Sequence, residues 1–256
     1  MKIVILAGGL GTRISEESHL RPKPMINIGD QPILWHIMKI YSYYGYNDFI
    51  ICCGYMQHII KQWFSNYYLY NSDITFDFSE GKNQMLVHNN DSEKWKVTLI
   101  DTGLNTATGG RIKRIAKYIG KDTFMMTYGD GVANVNIHEL VNHHKKCKGT
   151  VTLTAAKIKQ RFGVLSINDN NTITSFREKL DSDAERVNAG FMVLEPSVFD
   201  YIDGDDIPFE KQPLEKLVQE GKLMAYKFDG FWQPMDTMRD KKFVIKFMKI
   251  LSLVLM

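Results

Sequence analysis

A glycine-rich turn follows the first apolar run of the chain. The run Ile3-Val4-Ile5-Leu6 is short and uninterrupted, which is typical of a buried parallel strand. The turn after it, Gly8-Gly9-Leu10-Gly11-Thr12-Arg13, exposes backbone N–H groups to an anion because glycine has no side chain. Arg13 and Lys23 bring two cations near the same turn. The pattern therefore predicts a binding site for a nucleoside triphosphate.

Two common phosphate-binding loops do not match this turn. A P-loop needs Lys-Ser or Lys-Thr after its glycines, and the dinucleotide fingerprint needs a glycine where this chain has Ile14. The segment Arg21-Pro22-Lys23-Pro24 comes next instead. Its two prolines restrict the backbone on both sides of Lys23, which favours a positioned lysine. A glycine turn followed by a solvated basic loop is the alternative.

Composition and charge exclude several classes of protein. The 256 residues, 44% of them hydrophobic and 24% charged, suit one large globular domain or one domain with a small lobe. The net charge of +3, without a basic block among aromatic residues, makes nucleic acid an unexpected partner. A secretion signal is not expected because the sequence begins directly in a strand, and no apolar run reaches the ~20 residues of a membrane span. The odd number of cysteines, with Cys52 and Cys53 inside a strand-like run, indicates packed thiols and a reducing cytoplasm.

Apolar periodicity predicts an α/β fold. Strands and helices alternate in the first half, which implies a parallel sheet covered on both faces, and hairpin signals appear later. We expect a Rossmann-like mixed sheet, parallel in the N-terminal half and with antiparallel additions in the C-terminal half. The predicted strands are 2–6, 49–53, 74–78, 97–100, 124–126, 150–156, 162–167, 172–176, 187–194 and 224–228. The predicted helices are 32 to about 44, 59–64, 108–118, 137–147, 213–220 and 237 to the end.

Two aspartates are candidates for one site. Asp130 lies between glycines just past a buried strand, and ligands of open α/β sheets bind outside the carboxyl ends of strands. Asp236 lies much later, in Gln233-Pro234-Met235-Asp236-Thr237, and sequence spacing does not prove that the two meet. As alternatives, Asp130 is a turn residue and Asp236 the N-cap of the last helix.

Several segments together resemble the sugar-phosphate nucleotidylyltransferases. They are 6–13 with Pro22-Lys23-Pro24, 32–39, 52–55, 101–103, 108–111, 127–131 and 230–237, and the resemblance extends from Met1 to about Lys242. Thr108-Gly109-Gly110-Arg111 and Trp232-Gln233-Pro234-Met235-Asp236 resemble the branch that uses CTP. The resemblance implies an enzyme that joins CTP and α-D-glucose 1-phosphate into CDP-glucose and pyrophosphate, for deoxysugars of surface polysaccharide such as O-antigen.

The resemblance also assigns roles to residues. Asp130 and Asp236 are expected to hold one Mg²⁺ and, with Arg13 and Lys23, to be the catalytic residues. The residues expected to contact CTP are Leu6, Ala7, Gly8, Gly9, Gly11, Thr12, Arg13, Lys23, Thr106, Thr108, Arg111 and Gly129. Those expected at the sugar phosphate are Tyr128, Glu178, Lys179 and Asn188. As purely structural alternatives, Thr106 or Thr108 is an N-cap and Lys179 is a solvated surface lysine. The chain departs from the family at Leu180, which is commonly proline, and at Ala189, which is commonly glycine.

The expected organisation is a single nucleotidyltransferase domain over residues 1–256. Its nucleotide-binding part covers about 1–135, its sugar-phosphate and metal part about 136–242, and a C-terminal helix about 237–256. The apolar tail 243–256 is expected to pack on its own domain or against another subunit, with membrane contact as a third alternative, and the resemblance implies a homo-oligomer. Two alternatives in function stay open: a sibling thymidylyl-, uridylyl- or guanylyltransferase, and an inactive regulatory relative that binds nucleotide sugars.

Overall fold

A seven-stranded sheet forms the centre of the computed structural model, which describes residues 1–81, 83–157, 164–167, 173–177 and 186–254. The strands are β1 (Ile3–Leu6), β2 (Asn27–Ile28), β3 (Gln31–Pro32), β4 (Asp48–Cys53), β5 (Ser72–Asp77), β6 (Gln84–Asn90), β7 (Lys96–Asp101), β8 (Phe124–Tyr128), β9 (Gly131–Ala133), β10 (Val151–Lys157), β11 (Val164–Ile167), β12 (Ile173–Arg177), β13 (Arg186–Leu194), β14 (Leu223–Phe228) and β15 (Trp232–Pro234). The helices are α1 (Ser15–Ser18), α2 (Ile33–Tyr43), α3 (Gln57–Tyr70), α4 (Thr108–Arg114), α5 (Ala116–Ile119), α6 (Ile137–Cys147), α7 (Gln212–Gln219) and α8 (Met238–Val254).

The sheet is mixed, with the order β14-β10-β13-β8-β1-β4-β7. Strands β8, β1, β4 and β7 run parallel to one another, whereas β13 is antiparallel to both β8 and β10. The predicted mixed sheet, parallel in its first half, is confirmed. The carboxyl ends of β8, β1, β4 and β7 therefore meet at one edge, where the glycine-rich turn follows β1.

Alternating residues of the strands build two apolar layers. In β1, Ile3 and Ile5 pack in one cluster, and Val4 and Leu6 in the other, because successive side chains of a strand point to opposite faces. Helices α2, α6 and α8 contribute to the first cluster, and α4, α5 and α7 to the second. Both faces of the sheet are covered, as the uninterrupted apolar strands predicted.

Several predicted elements differ in their bounds. The predicted helix 108–118 divides into α4 and α5 because the backbone of Ile115, with φ −95° and ψ 1°, leaves the helical region. The polar region around residues 84–90 forms β6, which pairs with β5 as an antiparallel hairpin. Strands β11 and β12 pair as predicted, while the turn between them lies outside the described residues.

The C-terminal helix begins one residue after its predicted start. Val244 of α8 is fully buried in the first cluster, so the beginning of the tail packs on its own domain as expected. The side chains beyond Lys246 lie outside the described part of the chain. Within the described residues, no helix combines the length and the apolar character that crossing a membrane requires.

Candidate active site

A cavity of about 700 Å³ opens at the carboxyl ends of β1 and β8. The predicted site residues that line it are Leu6, Ala7, Gly8, Gly9, Gly11, Thr12, Lys23, Thr106, Thr108, Arg111, Tyr128, Gly129, Asp130, Asn188 and Asp236. The backbone of Arg13 lies in the 3-10 turn Thr12–Ile14. The side chain of Arg13, and both Glu178 and Lys179, lie outside the described part of the chain.

A short strand pair brings the two aspartates together. Strand β9 begins directly after Asp130, and it pairs antiparallel with β15, which ends two residues before Asp236. The N–H of Met235 also donates to the carbonyl oxygen of Asp130 at 2.8 Å. Pairing of distant segments thus places both aspartates at one end of the same small ribbon.

Lys23 bridges the two carboxylates. Its Nζ lies 2.6 Å from Oδ2 of Asp130 and 2.6 Å from Oδ1 of Asp236. The backbone from Pro22 is extended and then enters a 3-10 turn over Lys23–Met25, with the N–H of Met25 donating to the carbonyl of Pro22 at 2.8 Å. The lysine side chain is only 9% exposed. It is therefore a positioned lysine, as the Pro-Lys-Pro segment predicted.

The last helix is capped by Thr237. The N–H of Asp240 donates to Oγ1 of Thr237 at 3.2 Å, and the N–H of Thr237 donates to Oδ2 of Asp240 at 2.9 Å. This reciprocal pair has the geometry of a capping box. The alternative that Asp236 is the N-cap is wrong, because its neighbour serves the helix while its own carboxylate meets Lys23.

The two carboxylates fit a magnesium ion. One cationic nitrogen already lies within 2.6 Å of an oxygen from each of them, so a single cation reaches both. Among the described residues, no group of three acidic, histidine or cysteine side chains suits a metal. Magnesium commonly takes one or two carboxylates and fills its other positions with water and substrate phosphates. The donor set therefore suits an ion that arrives with a polyphosphate.

The glycine-rich turn approaches the same cavity. Gly11 has φ +65°, and a Cβ there would lie 3.2 Å from Cβ of Lys23. Gly9 faces open space, since a Cβ there would meet no atom within 4 Å. The turn thus packs closely on Lys23 while Gly9 leaves the cavity side accessible to a ligand.

Arg111 lies beneath the turn, and its exposed fraction is 4%. Its Nη2 donates to the carbonyl oxygens of Gly8 at 3.0 Å and Leu104 at 3.1 Å. Its Nη1 donates to the carbonyl of Gly103 at 2.7 Å and to the hydroxyl of Thr102 at 2.8 Å. Burial lowers the pKa of Arg111, but a guanidinium remains protonated in proteins. The structure thus places a positive charge under the turn, and direct contact with CTP stays a prediction.

Glycines at three strand ends make room for this guanidinium. A Cβ on Gly8 would lie 2.1 Å from Nη1 of Arg111, and one on Gly54 would lie 2.5 Å from the same atom. A Cβ on Gly54 would also lie 2.6 Å from the carbonyl oxygen of Gly8 and 2.8 Å from that of Gly103. Gly103 itself has φ +87°. The glycines after β1, β4 and β7 therefore form one cradle for Arg111.

The segment 205–210 docks on the start of α4. Thr108 accepts a hydrogen bond from the N–H of Phe209 at 2.8 Å. A Cβ on Gly109 would lie 2.4 Å from the carbonyl oxygen of Ile207, and one on Gly110 would lie 2.4 Å from that of Asp205. The N-cap position of α4 belongs to Ala107, so an N-cap role for Thr106 or Thr108 in this helix is wrong. The two glycines allow the close approach of segment 205–210.

Tyr128 is fixed against β13. Gly190 has φ +84°, and a Cβ there would lie 2.4 Å from Cδ2 of the Tyr128 ring. The side chain of Asn188 accepts a hydrogen bond from the N–H of Gly190 at 2.9 Å and also lies near the Tyr128 hydroxyl. Because the positive φ falls on Gly190, Ala189 fits at its own position without backbone strain.

Sequence reasoning did not identify every residue that lines the cavity. The additional lining residues are Pro24, Ala107, Thr127, Gly131, Ala189, Glu210, Trp232 and Pro234. Most of these are neighbours of predicted residues in the same motifs. Glu210 belongs to none of the motifs, and only the docking of segment 205–210 on α4 brings it to the cavity.

Comparisons with known proteins identify the family and agree with the fold. The sequence model described as "Nucleotidyl transferase" matches residues 2–240. The chain is 53% identical to the glucose-1-phosphate cytidylyltransferase of Salmonella typhimurium over 95% of this chain and 94% of that protein. It is 45% identical to a probable glucose-1-phosphate cytidylyltransferase of Bacillus subtilis, over 94% of this chain and 93% of the relative.

A solved structure shows the same fold at lower sequence identity. HddC from Yersinia pseudotuberculosis superimposes with a TM-score of 0.70 at 22% identity, covering 96% of this chain and 99% of that chain. The assignment to a family rests on the sequence model, which matches residues 2–240, and on the relatives from Salmonella typhimurium and Bacillus subtilis. The chain belongs to the nucleotidyl transferase family, and within it to the group of the glucose-1-phosphate cytidylyltransferases.

Proposed function

We propose that this chain joins CTP and α-D-glucose 1-phosphate into CDP-glucose and pyrophosphate. The observation that carries the proposal is the convergence of Lys23, Asp130 and Asp236 in a cavity beside the glycine-rich turn. The names of the relatives support the choice of CTP and glucose 1-phosphate. As an extension of the proposal, CDP-glucose serves the synthesis of deoxysugars for surface polysaccharide.

The reaction needs no nucleophile from the protein. A sugar 1-phosphate is largely a dianion at neutral pH, because a phosphate monoester loses its second proton near pH ~6. Its oxygen attacks the α-phosphorus of CTP directly, and pyrophosphate leaves in line. The barrier comes from bringing a dianion to a polyanion, so catalysis depends on positioning and on neutralising charge.

The residues of the cavity divide this task. Asp130 and Asp236 would hold Mg²⁺, and the ion would neutralise charge on the triphosphate. The backbone amides of the turn from Gly8 to Thr12, together with Arg13, would bind the departing pyrophosphate. Lys23 would contact the α-phosphoryl oxygens. For this contact, its ammonium group would have to break its ion pair with Asp130 or with Asp236.

Two further cations complete the proposed arrangement. Lys179 would bind the phosphate of the incoming sugar, as the family resemblance implies. The buried guanidinium of Arg111 adds positive charge behind the glycine-rich turn, where four carbonyl oxygens and one hydroxyl hold it. A charge in a poorly hydrated position acts more strongly on bound phosphate than one in water.

A nucleotide competition assay tests the proposal. Purified protein receives glucose 1-phosphate, Mg²⁺ and one of CTP, dTTP, UTP or GTP, and pyrophosphate release is measured. We expect the highest kcat/KM with CTP. A higher value with another nucleotide would make the chain a sibling enzyme, and binding of nucleotide sugars without pyrophosphate release would make it a regulatory relative. The variant Asp130→Asn controls for contaminating activity.

A further inference from the structure

Glu210 lines the cavity as a third carboxylate, and unlike Asp130 and Asp236 it is held by hydroxyl groups rather than by Lys23. Oε1 of Glu210 accepts a hydrogen bond from the hydroxyl of Tyr128 at 2.5 Å, and Oε2 accepts one from the hydroxyl of Thr108 at 2.6 Å. All three side chains line the cavity. A carboxylate repels phosphate and accepts hydrogen bonds, so Glu210 suits a neutral part of a substrate that carries donors.

The position of Glu210 is fixed from both sides. Phe209, its neighbour, donates its N–H to Thr108, so the backbone and the carboxylate are tied to the same residue of α4. Asp205, at the start of the segment, forms a two-pronged ion pair with Arg114, at 2.9 Å to Nε and 2.6 Å to Nη2. Glu210 is therefore held in place before any ligand binds.

The hydroxyl group of Tyr128 uses its hydrogen for the bond to Glu210. The phenol hydroxyl points at the carboxylate, since it donates a hydrogen bond to Oε1 of Glu210 at 2.5 Å. The phenol then has no hydrogen left for a ligand, and its oxygen can only accept. Glu210 and Tyr128 together present acceptors, which match sugar hydroxyl groups rather than phosphate oxygens.

The location of this acceptor pair indicates the part of the substrate. Tyr128 ends β8 and contacts Gly190 of β13, whereas the glycine-rich turn and Arg111 belong to the ends of β1, β4 and β7. In the sheet order, β8 and β13 lie on one side of β1, and β4 and β7 on the other. Tyr128 thus lies on the side away from the strands whose ends hold Arg111, and Glu210 lies between Tyr128 and Thr108 at the start of α4.

We propose that Glu210 determines sugar specificity by accepting a hydrogen bond from a ring hydroxyl of the hexose 1-phosphate. Tyr128, oriented by the same carboxylate, supplies a second acceptor beside it. The inference rests on the proposed function, since it names a contact of the same reaction. The family resemblance implies that Tyr128 contacts the sugar phosphate, and the inference places this contact at the sugar ring rather than at the phosphate group.

The test combines a conservative variant with altered sugars. Glu210→Gln keeps the shape of the side chain and replaces one acceptor by a donor. Glu220→Gln is the matched control, because Glu220 accepts a hydrogen bond from Tyr201 at 2.6 Å but does not line the cavity. Steady-state KM and kcat are measured for CTP, for glucose 1-phosphate and for its monodeoxy analogues, and CTP binding and thermal unfolding verify that each variant is folded.

The expected outcome is specific to one substrate. Glu210→Gln raises KM for glucose 1-phosphate by roughly tenfold or more, the scale of one hydrogen bond to a charged acceptor, and leaves KM for CTP unchanged. One deoxy analogue has a higher KM than glucose 1-phosphate in the wild type but not in the variant. The hydroxyl that this analogue lacks is the one that Glu210 binds. The inference is overturned by an unchanged KM for glucose 1-phosphate, by a rise confined to CTP, or by equal penalties for every analogue in both proteins. Absence of wild-type turnover with CTP and glucose 1-phosphate would instead refute the proposed function.

Discussion

Lys23 and Asp236 are 213 residues apart in the chain, and Nζ of the lysine lies 2.6 Å from Oδ1 of the aspartate. The same nitrogen lies 2.6 Å from Oδ2 of Asp130. The ammonium therefore compensates two neighbouring carboxylates that would otherwise repel each other. A divalent cation that binds both carboxylates competes with Lys23 for the same oxygens.

Removal of the lysine charge is expected to strengthen metal binding and weaken catalysis. In Lys23→Met, the two carboxylates lose their cation, so Mn²⁺ without nucleotide should bind at least roughly tenfold more tightly than in the wild type. The kcat for pyrophosphate release should fall by at least ~10²-fold, the scale of losing one charge-stabilising group. Electron paramagnetic resonance of free Mn²⁺ measures the first quantity, and the pyrophosphate assay measures the second.

Lys39→Met is the control for the lysine variant. Lys39 pairs with Glu93 at 2.6 Å but is 42% exposed and does not line the cavity. Its loss should leave both Mn²⁺ affinity and kcat unchanged. Equal Mn²⁺ affinity in Lys23→Met and wild type would show that the ammonium does not compete with the metal.

The glycine cradle around Arg111 predicts a contrast between two alanine substitutions. In Gly54→Ala the new Cβ meets two carbonyl oxygens and the guanidinium at 2.5–2.8 Å, so stability should fall by about 1–3 kcal/mol, as overpacking does. In Gly9→Ala the new methyl group meets nothing within 4 Å, and the thermal midpoint should stay close to wild type. Calorimetry of both variants checks this, and equal midpoints would contradict the close packing at Gly54.

Arg111 itself is expected to be a large contributor to stability. In Arg111→Ala, the buried acceptors at Gly8, Cys53 and Thr102 lose their donor, which should lower the free energy of unfolding by about 3 kcal/mol or more. Arg114→Ala on the same helix removes a pair with Asp205 that is exposed to solvent, and its effect should be clearly smaller. Urea denaturation compares the free energies of unfolding of the two variants. A larger loss of stability in Arg114→Ala would contradict the role given to Arg111 in its glycine cradle.

His36 predicts a pH dependence of stability. The ring of His36 lies 2.8 Å from the carbonyl oxygen of Ile28, and burial lowers its pKa below the ordinary 6.5. Below pH 6.5 the unfolded state therefore binds more protons at this residue than the folded state does. The contribution of His36 to the free energy of unfolding is thus present above pH 6.5 and is lost as the pH falls to the folded pKa.

The corresponding measurement is thermal unfolding as a function of pH. His36→Gln retains a donor for Ile28 and should flatten the decline in melting temperature below about pH 6.5. His88→Gln, on the exposed strand β6, is the control and should follow the wild-type curve. A wild-type slope in His36→Gln would contradict the assignment to this residue.

Local patterns predict most of the fold and the nucleotide side of the site. Ile3–Leu6 and the glycine-rich turn are contiguous, so their role follows from a short stretch of sequence. The meeting of Asp130 with Asp236 was not derivable from spacing, because it depends on the pairing of β9 with β15. Glu210 escaped detection for the same reason, since its place in the cavity depends on contacts between segment 205–210 and α4.

The central claim is that Asp130 and Asp236 together form the cation site of the cavity. Mn²⁺ binding in the presence of saturating CTP, measured by electron paramagnetic resonance, tests it in the wild type, Asp130→Asn and Asp236→Asn. We predict that each single variant weakens binding of the metal by at least roughly tenfold, because even outer-shell partners of a metal contribute about 10–100-fold to its affinity. Wild-type affinity in either variant would contradict the claim.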